Sequence, residues 1–293
     1  MKLLHISDLH FGEPYLPEVG QALRRSAEQL QPDVIAASGD FTQTASEAEF
    51  REAGEFLQSL PDVPKLVTPG NHDVPARHSM RDLFNPFREY QKWMHAELDY
   101  HVHLENAVIV SVNSTTQWGS YREGLLSKKQ LQYCADIFAK TPEEKLRVVM
   151  CHHHLAPVPK IKGGGVMRKA KRTIEFFSEW KVDLILGGHK HRAYIGNSLD
   201  FYAGKIRDHG IIIAQCGTST SRRGRHRERE KNTFNWICSC GRTIRIDQYM
   251  YFHEANGFEV IARHLFPCAE LGYVPVGAQL EEAERLDIEG VGS

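Results

Sequence analysis

The chain has 293 residues, a formal net charge of -1 and 41% hydrophobic residues. That length can bury a substantial core, and the near-zero charge excludes bulk electrostatics as a route to nucleic acid or membrane, leaving only local patches. No run approaches the roughly 20 apolar residues of a membrane helix, and no charged leader precedes the first strand, so a cytoplasmic protein without a signal peptide or membrane partner is expected.

The opening ten residues, MKLLHISDLH, hold a short apolar run (Leu3, Leu4, Ile6) that delivers Asp8 and His10 at its far end. Helical spacing of Val19, Leu23, Ala27 and Leu30 predicts a helix over 17–30, stopped by Pro32. A second apolar run, 33–38, ends in Gly39-Asp40; a helix is predicted over 45–60; a third run from Lys65 ends in Gly70-Asn71-His72-Asp73. This is a β-α-β-α-β opening. A helix over 83–98, an antiparallel hairpin of 100–104 and 107–112, and a helix over 127–138 follow. The next run, 147–151, reaches His152-His153-His154. A loop rich in proline, lysine and glycine (156–166) and a helix (167–180) then lead to a run ending in Gly188-His189-Lys190-His191.

From Arg192 onward strands succeed one another with few helices, at 211–216, 232–238, 243–252 and 258–265, which predicts a largely antiparallel later part of the sheet. The domain is expected to span 1–265, with its motifs in 1–195, followed by a C-terminal extension over 266–293. The six cysteines (134, 151, 216, 238, 240, 268) form no C-x-x-C pair and are read as reduced, mostly buried thiols.

Five strands that each end in a metal-competent residue are not explained by packing. A donor set of Asp, His and Asn without thiolates suits Mn, Fe(II) or Zn better than Ca or Mg. Seven candidates (Asp8, His10, Asp40, Asn71, His152, His189, His191) exceed what one ion takes and fit two ions sharing a carboxylate, for which Asp40 is the natural bridge.

Asp8-x-His10, Gly39-Asp40, Gly70-Asn71-His72-Asp73, His152 and Gly188-His189-x-His191 resemble, in order, the signature of the calcineurin-like metallophosphoesterases. The resemblance implies an α/β fold, a four-layer α/β/β/α sandwich of two mixed sheets with the site at the strand ends. It also implies one metal on Asp8, His10, Asp40 and His191 and a second on Asp40, Asn71, His152 and His189. Manganese is the expected ion, with iron or zinc as alternatives, and a metal-bridging hydroxide would attack phosphorus in line. His72, beside Asn71, is assigned to hydrogen bonding the phosphoryl group or protonating the leaving oxygen, and Asp73 either to orienting its imidazole or to capping the turn.

Within the family, Gln43 stands where purple acid phosphatases place a tyrosine ligand, and His72 where the branch acting on UDP-diacylglucosamine tends to have arginine. The chain is similar instead to compact bacterial phosphodiesterases acting on cyclic nucleotides or glycerophosphodiesters. A small phosphodiester, with a cyclic nucleotide favoured, is therefore the expected substrate. A nuclease acting on DNA or RNA and a non-catalytic metal-bound scaffold are the alternatives, and a homodimer is left open.

His152 is chosen over His153 and His154 because it comes first after the apolar run and occupies the family ligand's place. His154 is read as a substrate contact or a solvated loop histidine, Asn113 as a substrate contact or a loop cap, and His5 as a packed core residue. Two basic segments, 160–172 and 222–231, are solvated loops or rim the pocket and grip phosphate, with Arg222 and Arg223 as the candidate contacts.

Overall fold

Alternation along four parallel strands decides the layers. In β5 (Ala107–Ser111), β6 (Leu146–Met150), β7 (Leu184–Gly187) and β9 (Ile212–Gln215), Ala107, Ile109, Val148, Met150, Leu184, Leu186, Ile212 and Ala214 enter one hydrophobic core. Their neighbours Val108, Val110, Val149, Ile185 and Ile213 enter another. Successive side chains on a strand point to opposite faces, so a run apolar at every position is what a sheet covered on both sides requires. The computed structural model describes residues 1–75, 84–115, 123–157, 165–202, 209–224, 231–240 and 243–267.

The described residues form two six-stranded sheets. Sheet two adds β4 (Tyr100–His103) and β8 (Tyr194–Asn197) and runs β4-β5-β6-β7-β9-β8. Sheet one comprises β1 (Lys2–Ile6), β2 (Val34–Ala37), β3 (Lys65–Val67), β10 (Thr233–Cys240), β11 (Thr243–Phe252) and β12 (Gly257–Pro267), ordered β12-β11-β10-β1-β2-β3. β1, β2 and β3 are parallel, while β10 joins β1 antiparallel with Leu3 opposite Ile237.

Helices α1 (Pro17–Leu30) and α2 (Glu47–Gln58) bring Val19, Leu23, Ala27, Phe50, Ala53 and Leu57 to the core of sheet one. Pro17 suits the first turn of α1, where its missing N–H costs nothing. Ser46 and Glu49 form a reciprocal capping box on α2, an arrangement whose loss costs about 0.5–2 kcal/mol. Between α3 (Arg88–Trp93) and β6 lies α4 (Lys128–Phe138), which with α5 (Ala170–Glu179) covers the far face of sheet two through Cys134, Phe138, Ile174 and Phe177. The architecture is the four-layer α/β/β/α sandwich of two mixed sheets.

Two features differ from expectation. The helix expected over 83–98 is interrupted: Phe84 is helical, 85–87 are not, and α3 follows, since Pro86 disfavours helical geometry at the residue before it. The later strands are largely antiparallel, as expected: β8 and β10–β12 run antiparallel to their neighbours, while β9 pairs parallel with β7. β8 itself has no alternating apolar pattern and was not anticipated. Cys134, Cys151, Cys216 and Cys238 are free and buried. No helix of the described residues is long and apolar enough to cross a membrane. The extension beyond 267 lies outside the described residues.

Candidate metal centre

The C-terminal ends of β1, β2 and β3 and of β6 and β7 converge, each handing its next residues to one pocket. Donor atoms of Asp8, His10, Asp40 and His191 lie within 4.8 Å of one another, and so do those of Asp40, His152 and His189. Asn71 joins the second group, its Oδ1 2.7 Å from His189 Nδ1 and 3.3 Å from His152 Nε2. Asp40 belongs to both: its Oδ2 is 3.4 Å from His152 Nε2 and 3.8 Å from His10 Nε2.

The backbone is strained to achieve this. Asp8 (φ 53), His10 (φ 50), Asp40 (φ 53), His189 (φ 77) and His191 (φ 52) all occupy the left-handed region, which side chains with a Cβ rarely adopt and which clusters at functional sites. Gly39, at φ +94, makes the turn before Asp40 possible, and a Cβ there would stand 2.7 Å from His152 Nδ1. At Gly188 a Cβ would collide with Ser7 and the Asp8 carboxylate.

Backbone carbonyls fix two of the imidazoles. His152 Nδ1 lies 2.7 Å from the Ser38 carbonyl and His191 Nδ1 2.8 Å from that of Arg223, so Nδ1–H donates and each Nε2 is turned to the pocket. The carboxylates are steadied in the same way: Asp8 accepts from Ser7 Oγ at 2.6 Å and Asp40 from the His72 amide at 2.8 Å.

Burial alone would raise the Asp8 carboxyl, yet His191 and His152 hold it below its ordinary value. Asp40 is held further down by His152 and His10 against the same burial. Burial pushes His10 down to about 3 and His189 well below its usual value. For His152 the burial penalty is outweighed by Asp40, raising it to about 9.

Two divalent cations fit this donor set. His10 Nδ1 and Asp40 Oδ2 are buried without a hydrogen-bond partner, and the Nε2 atoms of His10 and His191 face each other at 3.1 Å. Unpartnered buried polar atoms are costly in a dry interior, and a cation held by this cluster would offset that cost. Imidazole, carboxylate and amide oxygen together suit borderline divalent metals.

Other expected residues fare differently. His72 stands beside the first group, its ring 5.0 Å from that of His10. Its Nδ1 lies 2.9 Å from the Gln43 carbonyl and its Nε2 2.9 Å from Arg223 Nη2. Asp73 does not orient that imidazole. Its carboxylate is engaged by the Phe41, Thr42 and Gly70 amides and the Thr42 hydroxyl, so it caps the turn; burial and the nearby Asp40 push it up to about 7.

Asn113 caps its own loop, accepting from the Thr115 amide at 2.8 Å. His153 pairs with Ser114 Oγ at 2.9 Å. His154 is buried rather than solvated, its ring stacked 5.7 Å from that of His189. Arg222 is exposed, with its amide on the Pro14 carbonyl. Residues 160–164 and 225–230 of the basic segments lie outside the described residues.

One group of site residues carries no sequence signal. Thr218 Oγ1 donates to the Asp8 carbonyl at 2.7 Å and Thr220 Oγ1 to that of Leu9 at 3.0 Å. Ser219 accepts from the Ser7 amide at 3.1 Å and gives its own amide to the Ser7 carbonyl. The run Thr218 to Ser221 thus braces the strained turn that presents Asp8 and His10. Threonine and serine in a loop are too common to announce that role.

Among solved structures, the fold is similar to a purple acid phosphatase from yellow lupin (Lupinus luteus), with a TM-score of 0.69 and 10% identity over 94% of this chain and 57% of that one. It is also similar to PhoD (TM-score 0.68, 11% identity, 99% of this chain and 77% of that one) and to a dimetal phosphatase from Danio rerio (TM-score 0.61, 10% identity, 92% and 99%). The chain thus spans little more than half the length of the lupin enzyme. Identities this low establish the fold alone, and no curated protein sequence matches. The family model for the calcineurin-like phosphoesterases matches residues 1–193, the stretch that holds both donor groups, and the chain belongs to that family.

Proposed function

We propose that the chain is a dinuclear-metal phosphodiesterase of the cytoplasm acting on a small phosphodiester, with a cyclic nucleotide as the favoured substrate and manganese as the working ion. The observation that carries it is Asp40 Oδ2, a buried carboxylate oxygen without a hydrogen-bond partner that faces a histidine of each donor group. Asp8, His10, Asp40 and His191 would hold one ion, and Asp40, Asn71, His152 and His189 the other. The chemistry supplied by two such cations when bound is a nucleophilic hydroxide near neutral pH and neutralisation of charge on the phosphoryl oxygens.

This chain's own residues supply the rest. Ser38 and Arg223, through their carbonyls, hold the Nδ1–H of His152 and His191 and so aim each Nε2 at the pocket. His72, held at Nδ1 by Gln43, turns Nε2 to the pocket, where it would have to carry a proton to serve a phosphoryl or leaving oxygen. An ester oxygen leaves phosphorus as an alkoxide that needs a proton, the service a general acid at this position would give.

Turnover of bis-aryl phosphate, aryl monophosphate, cyclic AMP and single-stranded DNA with Mn tests the proposal. Turnover of the bis-aryl phosphate and cyclic AMP is expected. Turnover of the monoester alone refutes it, and DNA cleavage that falls steeply with salt moves the assignment to a nuclease.

A further inference from the structure

We propose that Arg223 is the anion-binding residue of this site and that it reaches the substrate phosphoryl group by exchanging its partner, giving up His72. The inference rests on the phosphoester assignment above and adds the residue that recognises the anion.

The loop after β9 crosses from sheet two to the end of β1, and its last anchored residue is Arg223. The backbone there is tied down: its carbonyl accepts from His191 Nδ1 at 2.8 Å, and the preceding Thr218 and Thr220 are bonded to the Asp8 and Leu9 carbonyls. The half-buried side chain leaves from a root fixed on the pocket wall.

Its guanidinium lies with Nη2 2.9 Å from His72 Nε2. The other ring nitrogen of His72 faces a carbonyl, that of Gln43, which can only accept. Nδ1 thus carries the hydrogen and Nε2 presents a lone pair, the atom on which Arg223 donates.

This pairing is consistent yet weak. A neutral imidazole offers one acceptor, whereas a phosphodiester anion offers two oxygens that match the guanidinium fork and form charge-assisted bonds about twice as strong. The His72 ring stands 5.0 Å from the ring of His10, so a phosphoryl group at the donor cluster arrives beside both partners. Once Arg223 turns to the anion, His72 Nε2 loses its donor and opens to the pocket. One exchange supplies a grip on the substrate and access to the imidazole.

Arg223→Gln and Arg223→Lys, each loaded with Mn beside the wild type, decide the matter. KM and kcat are read on a bis-aryl phosphate, inhibition on inorganic phosphate, and metal content and melting temperature on the same samples. Arg223→Gln is expected to raise both KM and the phosphate inhibition constant by about ten- to a hundredfold, with kcat less affected, and Arg223→Lys to fall between, all with wild-type metal content. Unchanged KM and phosphate inhibition overturn the proposal. So does a loss of metal or melting temperature that tracks the loss of activity in both variants, which would make Arg223 a structural residue. A wild type that hydrolyses only aryl monophosphate refutes the diesterase assignment, while phosphate inhibition still decides the role of Arg223.

Discussion

The Thr218 hydroxyl donates to the Asp8 carbonyl at 2.7 Å across 210 residues of chain. That carbonyl belongs to a residue in left-handed geometry, and it belongs to a turn presenting two donors of one cluster. Thr218→Val keeps the shape and removes the donor, leaving a buried acceptor unpaired. The expected cost is about 1–3 kcal/mol, read by urea unfolding, with weaker retention of one of two ions by elemental analysis. Full stability and full metal content would show the bond to be dispensable.

Asp40 and His72 separate by role. Asp40→Ala is expected to lose both ions, because its Oδ2 faces a histidine of each group. His72→Ala is expected to keep them and to lower turnover by roughly 10²- to 10⁴-fold, the usual size of a general acid contribution. Elemental analysis and turnover on the same preparations check this. Equal metal loss in the two variants contradicts it.

Metal should also stabilise the fold. Asp8, His10, Asp40 and Asn71 follow strands of sheet one, and His152, His189 and His191 follow strands of sheet two, so each ion ties the sheets together. At a free concentration about 100 times its dissociation constant, one bound ion adds about 2.7 kcal/mol. Titrating Mn into chelated protein should raise the melting temperature of the wild type and not of Asp40→Ala. A flat wild-type response is incompatible with the assigned sites.

Acid sensitivity has a separate source in His5. It is buried between Ser38 Oγ, 3.0 Å from Nε2, and the Asn235 side chain, 3.2 Å from Nδ1. Burial lowers its imidazole to about 3, against an opposing pull from Asp8. The folded value is thus below the unfolded one of about 6.5. Its contribution to stability is complete above about pH 6.5 and is lost toward about pH 3, at about 1.4 kcal/mol per pH unit. Urea unfolding in chelator should show a shallower acid decline for His5→Asn than for the wild type. Parallel slopes would remove His5 as a cause.

The donors were legible because each follows an apolar run long enough to be a strand, and a strand end fixes where the next residues go. Gly39 and Gly188 added a local signal, since each precedes a residue bent into left-handed geometry. What stayed hidden depends on contacts between distant residues. Asp73 carries the same residue type as the donors, and only the amides of Phe41, Thr42 and Gly70 around it reveal a turn cap. The parallel entry of β9 beside β7 follows from a crossover path that an apolar run does not encode. His72 was singled out by its place beside Asn71, but its pairing with Arg223 spans 151 residues.

The hydroxyl brace sets a lower bound on the smallest autonomous piece of this protein. Every donor is present by residue 191, and the family match ends at 193. Yet the first donor turn leans on Thr218 to Ser221, and the free flank of β1 is closed by β10. A truncation cut to the motif boundaries would keep a full inventory of ligands while discarding the scaffolding that aims them. During synthesis, the earliest-made ligands therefore wait for residues emerging some two hundred positions later before they are set in place.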